Sequence, residues 1–503
     1  MSSAASPQSG PEQGAAAAGG IFHRSYLLVT LGACALVFLA AFESLAVTTI
    51  MPVVSRELDG ASLYALAFAG PLATGVIGMV ASGSWADRKG PVAPLLAAVG
   101  MFVLGLLIAG TAGSMPVLVA GRLVQGLGGG GLTVALYVVI ARVYPPALHP
   151  KIFAAFSAAW VIPSLVGPFA AGLVAEVAGW PWVFLGVVGL VVPALLLTAP
   201  ALRSLPRVAD GRPGESEAPD SSDARSRTPG ALAKLGLAAL AAAAVLGLNL
   251  SASLPGVGGL LAGAAVAVAL LGVRPLMPRG TLTARRGLPS VILTRGLASA
   301  AFFGAEVYLP YLLVERYAFA PTFAGLTLTA GAVAWAAGSA VQGRLGPRLP
   351  HRRAVRVGAA LVLGAVVLAL ATTVLGWPPV VAIVGWIFAG AGMGLMYARL
   401  SVMTLALSTK ETEGFNSSAM SISDSLGGAL SLAATGIVFA AFTTAAGAGA
   451  LGGAAPFAGV FALTAAIGVA GVVVAPRVAG HPRAAKASAP LDPPGRKREE
   501  RLG

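Results

Sequence analysis

Charged side chains are scarce: Asp, Glu, Lys and Arg make up 10% of 503 residues, against 57% hydrophobic ones. A soluble fold needs more charge to cover its surface, so water is excluded as the main solvent. Cysteine is nearly absent. Cys34 stands alone, which excludes an intrachain disulfide and a cysteine-built metal site. The 4 histidines are scattered and make no metal-ligand cluster. Aromatic residues, at 7%, are too few for the girdles of an outer-membrane barrel. The chain has no G-x-x-x-x-G-K-[ST] run, which argues against an ATP-driven pump, and no nucleophile–base pair to suggest an enzyme. No cofactor is expected. Met1 to Gly20 is polar, without an apolar h-region, and reads as a disordered tail rather than a cleaved signal peptide.

What the chain has instead is apolar length. A helix of about 20 apolar residues crosses a bilayer core of about 30 Å. Fourteen stretches meet or nearly meet that length: Tyr26–Ile50, Leu63–Ser84, Val92–Gly113, Pro116–Ile140, Ile152–Ala175, Trp182–Thr198, Ala231–Leu250, Pro255–Val273, Pro289–Val314, Pro321–Val341, Val357–Leu375, Pro379–Leu407, Phe415–Phe442 and Pro456–Val474. The 66 glycines, poor for soluble helices, let helices in lipid approach closely. The fold class is therefore all-α integral membrane, with fourteen expected spans.

The net charge of +14 would suit a nucleic-acid partner, but the positions of the basic residues give a better account. With the N-terminus inside, only Arg56 and Arg316 face out, Arg122, Arg295 and Arg399 fall deep within spans, and Lys234 sits at the inner end of the seventh. The rest lie on the cytoplasmic side, as the positive-inside rule requires. Both termini are thus expected in the cytoplasm, and an odd number of spans breaks the pattern. The expected organisation is a tail to residue 25, a six-helix bundle over 26–200, a cytoplasmic linker over 201–230, two inserted helices over 231–273, a second six-helix bundle over 289–476, and a basic tail over 477–503. The linker is rich in Pro, Ser, Asp and Arg, without apolar periodicity. Weak internal symmetry relates the halves: Gly83-Ser-Trp-Ala-Asp-Arg88 ends the second span, and Gly343-Arg-Leu-Gly-Pro-Arg348 ends the tenth. Repeated bundles around a central site are the usual plan of a secondary transporter.

Gly126, Gly128 and Gly131 satisfy G-x-G-x-x-G, but within an apolar span and without a preceding strand, so they read as helix packing. Other strings carry a family signal. Gly83-Ser-Trp-Ala-Asp87-Arg88-Lys89-Gly90 resembles the G-x-L-A-D-R-x-G-R loop of the major facilitator superfamily. Leu118, Arg122, Gln125, Gly126 and Gly128 resemble its fourth-helix motif, and Gly167, Pro168 and Gly172 its antiporter motif G-P-x-x-G-G. Gly179-Trp-Pro-Trp-Val-Phe184 is similar to the W-R-W-x-F entry to the sixth helix of drug:proton antiporters. The order of these strings and the count of spans resemble the fourteen-spanner branch of those antiporters, from Tyr26 to Val474. Pro91, Ala171 and Pro181 depart from the patterns. The resemblance implies a major facilitator fold, with Gly83, Asp87, Arg88, Gly90, Gly167, Pro168 and Gly172 in gating. For Arg88 and Lys89 the plainer reading is topology anchoring.

Six embedded charges call for an explanation, since each costs roughly 2.5–3.5 kcal/mol at mid-bilayer. At about 1.5 Å rise per residue, Glu43, Arg122 and Glu306 lie roughly 9–12 Å in from the outer ends of their spans. Arg295, Arg399 and Asp424 lie roughly 9–14 Å in from the inner ends. Glu43 and Glu306 are the candidates for an exchanging carboxylate, with Arg122 as counter-charge and Asp424 and Arg399 as a second cluster. The alternative is that these are structural pairs that hold helices together. Glu176, at the outer end of the fifth span, reads as a solvated end charge. Gln125, Trp160, Phe302, Phe303, Tyr308 and Tyr311 are candidates to line an apolar cavity, or else are core.

These features point to a proton-driven exporter of amphipathic, including cationic, drugs or antibiotics that works by alternating access. Its partners are small molecules, protons and the lipid bilayer, with no nucleic acid and no obligate protein. An exporter of an endogenous metabolite, siderophore or lipid shares the fold, and a non-transporting receptor or scaffold is the rival from another class. High Ala, Gly and Arg usage fits a GC-rich bacterial source, hence a cytoplasmic membrane.

Overall fold

Lipid offers no partner for a backbone N–H or C=O, so so apolar a chain must satisfy them within helices. The computed structural model describes residues 20–145, 148–204, 231–251, 258–345, 348–409, 412–446 and 453–479, all-helical apart from turns and short connections. The expected tail up to residue 19, the linker from 205 to 230 and the basic tail from 480 lie outside the described residues. The first bundle comprises α1 (Leu27–Glu57), α2 (Leu66–Lys89), α3 (Val92–Gly110), α4 (Met115–Val143), α5 (His149–Val177) and α6 (Pro181–Ser204). Next come α7 (Ala231–Ser251) and α8 (Gly258–Val273). The second bundle comprises α9 (Leu288–Glu306), α10 (Tyr308–Tyr317), α11 (Pro321–Leu345), α12 (His351–Leu375), α13 (Pro379–Ala406), α14 (Glu413–Ala446) and α15 (Ala454–Val474). Proline opens several of them, as at Pro116, Pro289 and Pro379, where its missing N–H is no loss.

Twelve helices among the described residues, with α9 and α10 counted as one run, are long and apolar enough to cross a membrane. The seventh and eighth expected spans are shorter apolar helices, Leu235–Leu248 and Leu260–Leu276 by the same measure. The 16 residues of α8 reach only about 24 Å at 1.5 Å each. The ninth expected span is one apolar run in sequence, but its helix is interrupted at Val307.

The two bundles repeat one packing scheme. In the first, α4 packs on α2 and α3, α1 on α5 and α6, and α3 on α6. In the second, α13 packs on α11 and α12, α9 on α14 and α15, and α12 on α15. The repeat extends to single residues. A Cβ on Gly130 would lie 2.8 Å from the Gly75 Cα, and one on Gly390 would lie 3.1 Å from the Gly331 Cα. Backbone contact of this kind at equivalent crossings requires glycine. The bundles meet along two seams, α2 against α14 and α5 against α11, which the same twofold relation exchanges. Helix α7 packs on both α2 and α14, and α8 packs on α7.

Start and end points fix the two faces. The N–H of Gly287, just before α9, donates to the Arg477 carbonyl at 2.9 Å, beyond the end of α15. The end of α1 meets the end of α10 through Arg56 and Glu315. Both described chain ends therefore share one face, here the terminal face; the other is the distal face.

Candidate functional site

Inside the first bundle, Arg122 on α4 is held from three helices. Its Nη1 donates to Glu43 on α1 and, at 2.6 Å, to the Gln125 Oε1 one turn along α4. Its Nε donates to the Ala67 carbonyl on α2 at 3.1 Å. Glu43 is 4% exposed and Arg122 5%. Two ions so withdrawn from water cost several kcal/mol to desolvate, and mutual attraction plus hydrogen bonds must offset this. Gln125 is buried at 2%, so in this conformation it serves the pair rather than an open cavity wall.

The second bundle carries a more open pair. Arg295 on α9 donates from Nε to Asp424 Oδ1 at 3.0 Å and from Nη2 to Oδ2 at 3.3 Å. Tyr397 on α13 donates its hydroxyl to the same carboxylate, and the Arg295 guanidinium carbon lies 3.3 Å from the Tyr397 ring centroid. Arg399 shares the layer of Asp424 but points elsewhere. It donates to the Gln342 side chain and, at 3.2 Å, to the Gln342 carbonyl, and its Nη1 lies 3.4 Å from His351 Nδ1. Glu306, the last residue of α9, is half-buried and has neither a hydrogen bond nor an ion pair among the described residues.

On the distal face the halves are locked. Arg56 pairs with Glu315 at 2.7 Å. The Tyr64 hydroxyl donates to the Val307 carbonyl at 2.7 Å, and its ring stacks on Tyr311 at 4.4 Å. Glu176 is exposed at the end of α5, as its reading as a solvated end charge expects, and it has a partner as well. Its carboxylate accepts from the Thr322 N–H at 3.1 Å and hydroxyl at 2.6 Å, capping α11 of the other bundle. An unpaired N–H at a helix start draws a carboxylate from across a seam as readily as from its own chain neighbours. Pro168 and Gly172 sit at this seam: a Cβ on Gly325 would lie 2.7 Å from the Pro168 carbonyl oxygen, and one on Gly172 2.8 Å from the Thr322 Cα. Gly167 instead faces Phe42. Away from the seam the same two helices expose apolar side chains along their length, from Trp160 and Val341 to Val177 and Phe323. The conformation is closed at the distal face.

The aromatic candidates divide. Tyr308 and Tyr311 are buried with Tyr64, Phe439 and Phe457 in the distal closure. Phe302 is 3% exposed and stacks on Trp386 at 4.9 Å, while Phe303 is half-buried and Trp160 is 49% exposed. At the loop motif, Gly83 lies on α2 beside Val134, Gly90 ends α2 at φ +82°, and Arg88 and Lys89 are exposed. Asp87 lies in the last turn of α2; its side chain is outside the described set. Arg142, which sequence reading used only for topology, reaches the Ala86 carbonyl at 3.4 Å. Sequence reading also missed Glu315 and Tyr397. Tyr397 was accessible as a polar aromatic two residues from Arg399 in an apolar span.

The model of the Major Facilitator Superfamily matches residues 33–432. A probable multidrug-efflux transporter of Mycobacterium tuberculosis is 27% identical over 374 residues, 71% of this chain and 75% of that protein. The MFS-type transporter gkaD of Penicillium citrinum is 32% identical over 146 residues, 29% of this chain; the match spans only 25% of that relative's length. A crystal structure of a D-xylose-proton symporter superposes with a TM-score of 0.60 at 15% identity, covering 89% of this chain and 96% of that one, a likeness of fold alone.

Proposed function

Because the chain belongs to the Major Facilitator Superfamily, we propose that it is a proton-coupled exporter of amphipathic drugs or antibiotics, working by alternating access in a cytoplasmic membrane. The terminal face is assigned to the cytoplasm, so the observed conformation is closed to the outside. The multidrug-efflux relative supports the cargo, and the embedded carboxylates support the proton.

The observation that carries the reading is the buried Glu43–Arg122 pair. A carboxylate out of water takes a proton more readily, and a neighbouring guanidinium opposes this. A proton on Glu43 cancels the pair and leaves Arg122 as an uncompensated positive charge, held by Gln125 and the Ala67 carbonyl. In a low-dielectric interior that charge repels a bound cation strongly. Proton and cation are thereby competing occupants of one electrostatic site. Glu306, unpaired at the α9–α10 break, offers a second carboxylate for the same exchange. Inward proton flow supplies about 2.3 kcal/mol per 100 mV.

Purified protein in sealed liposomes under an imposed acid gradient tests the reading, with a panel of lipophilic cations and antibiotics. Gradient-driven flux that is lost in Glu43→Gln is expected. No flux for any compound, or unchanged coupling in both Glu43→Gln and Glu306→Gln, overturns it. In cells, unchanged dye accumulation together with proton-driven flux of a single metabolite, siderophore or lipid assigns the narrower exporter.

A further inference from the structure

The charged cluster of the second bundle has the composition of a cation receptor. Asp424 supplies a carboxylate, Tyr397 an aromatic face, and Trp335 a second ring edge-on to Tyr397 at 5.1 Å. Phe302, 5.5 Å from Trp335, continues the aromatic wall. A carboxylate beside a ring face is the arrangement that binds an organic cation, through ionic attraction and the ring quadrupole together.

That receptor is already occupied by part of the chain. The Arg295 guanidinium lies flat over the Tyr397 ring, 3.3 Å from its centroid, and forks onto both Asp424 oxygens. The side chains of Arg295 and Asp424 are 15% and 26% exposed, against 7% and 5% for the Arg122–Glu43 pair. The first pair is sealed and the second is reachable. Remaining guanidinium contacts are weak: Nη1 reaches the Tyr397 carbonyl at 3.3 Å and the Ser401 hydroxyl at 3.4 Å.

We propose that Asp424, Tyr397 and Trp335 form the binding site for the cationic group of an organic cation, with Arg295 as a tethered competitor that the cargo displaces. The identity of the cargo rests on the exporter reading above. A displaced Arg295 keeps its charge, so no proton or bond is exchanged in this step. The tethered cation keeps the carboxylate neutralised when no cargo is bound, and it sets a threshold affinity that weakly binding cations fail to cross.

Equilibrium dialysis in detergent, without any gradient, measures the site directly. The probes are tetraphenylphosphonium and tetraphenylborate, which share a shape and differ in charge sign. Arg295→Met is expected to bind the phosphonium at least about tenfold more tightly than the unaltered chain and to gain nothing for the borate. Adding Asp424→Asn to that variant is expected to remove the gain. Arg295→Lys keeps the pair neutral and cannot lie flat on the ring while forking onto the carboxylate; it is expected to gain about two- to fivefold. It carries the test if Arg295→Met does not fold. Unchanged or weaker phosphonium binding in the folded variants overturns the proposal, and so does an equal gain for the borate. Tighter phosphonium binding with no flux in liposomes sinks the exporter reading and leaves the site standing. Proton-driven flux with no gain in binding does the reverse.

Discussion

Arg56, at the end of α1, donates to Glu315 of α10 at 2.7 Å, and the two residues belong to different bundles. The contact exists only while the distal face is closed. Arg56 is 60% exposed at its side chain, so the pair contributes about 0.2–1 kcal/mol and shifts the balance of states by a few-fold at most. Charge alone is therefore a weak lock, and a covalent one is the sharper test. With Cys34 replaced by Ser, cysteines at positions 56 and 315 are expected to arrest transport on oxidation and restore it on reduction. Free turnover by the cross-linked protein removes distal opening from the cycle.

Breaking the first-bundle pair from either side has unequal results. Arg122→Ala leaves Glu43 buried without its partner and is expected to destabilise the protein by about 3–5 kcal/mol, measured by thermal unfolding in detergent. Glu43→Gln with Arg122→Gln removes both charges and is expected to recover most of that stability without recovering proton-driven transport. Full coupling in the double variant reduces the pair to a structural tie.

Glu306 behaves differently because nothing holds it. Glu306→Gln is expected to leave stability within about 0.5 kcal/mol, since no ion pair or hydrogen bond is lost. Its effect belongs in transport: weaker dependence on the imposed pH gradient, with cargo affinity retained. A large fall in melting temperature contradicts the unpaired state.

At the α5–α11 seam, Gly172 lies against the Thr322 backbone, where a Cβ would come within 2.8 Å. Gly172→Leu cannot be absorbed by a side-chain rotation of Thr322 and is expected to hold the distal face apart. Distal labelling of a cysteine placed at Thr322 should rise by about tenfold or more, because a disrupted tight interface shifts such equilibria by over 1.4 kcal/mol. Unchanged labelling shows that the seam yields.

Glu176→Ala removes the cap on α11 and both of its hydrogen bonds to Thr322. Loss of a helix N-cap costs about 0.5–2 kcal/mol, and here the loss falls on the distal-closed state alone. With the reporter cysteine at position 322 the hydroxyl bond is already gone, so Glu176→Ala removes the N–H bond alone, and labelling is expected to respond in the same direction, more weakly than with Gly172→Leu. Identical labelling in Glu176→Ala and the unaltered chain shows that the cap does not hold the seam.

The sequence makes embedded charges conspicuous because lipid penalises them, which is why Glu43, Arg122, Arg295, Arg399 and Asp424 stood out before any coordinates. Depth along each helix also followed from rise per residue. Partner choice did not, since it depends on how each helix is rotated about its axis. Arg295 and Arg399 share a layer with Asp424, and only Arg295 faces it. Glu176 and Glu315 were opaque for a related reason: their partners lie across the seam between bundles, 146 and 259 residues away in the chain. The break at Val307 has a sequence cause that the apolar run masks, Pro310, which lacks the N–H that would bond the Glu306 carbonyl, whereas the short α8 could be seen as weak from its length.

Helix α7 belongs to neither bundle yet touches one helix of each. The surface it offers there is built from Ala238, Ala241 and Ala242, set against Ala73 and Val76 of α2 and Ile422 and Leu426 of α14. Methyl groups make shallow bumps and few interlocking holes, so a helix gliding past them meets little resistance at any register. Small side chains at this contact are therefore expected to let α2 and α14 slip lengthwise past the insertion, and bulkier residues at 238, 241 or 242 to turn that smooth rail into a ratchet.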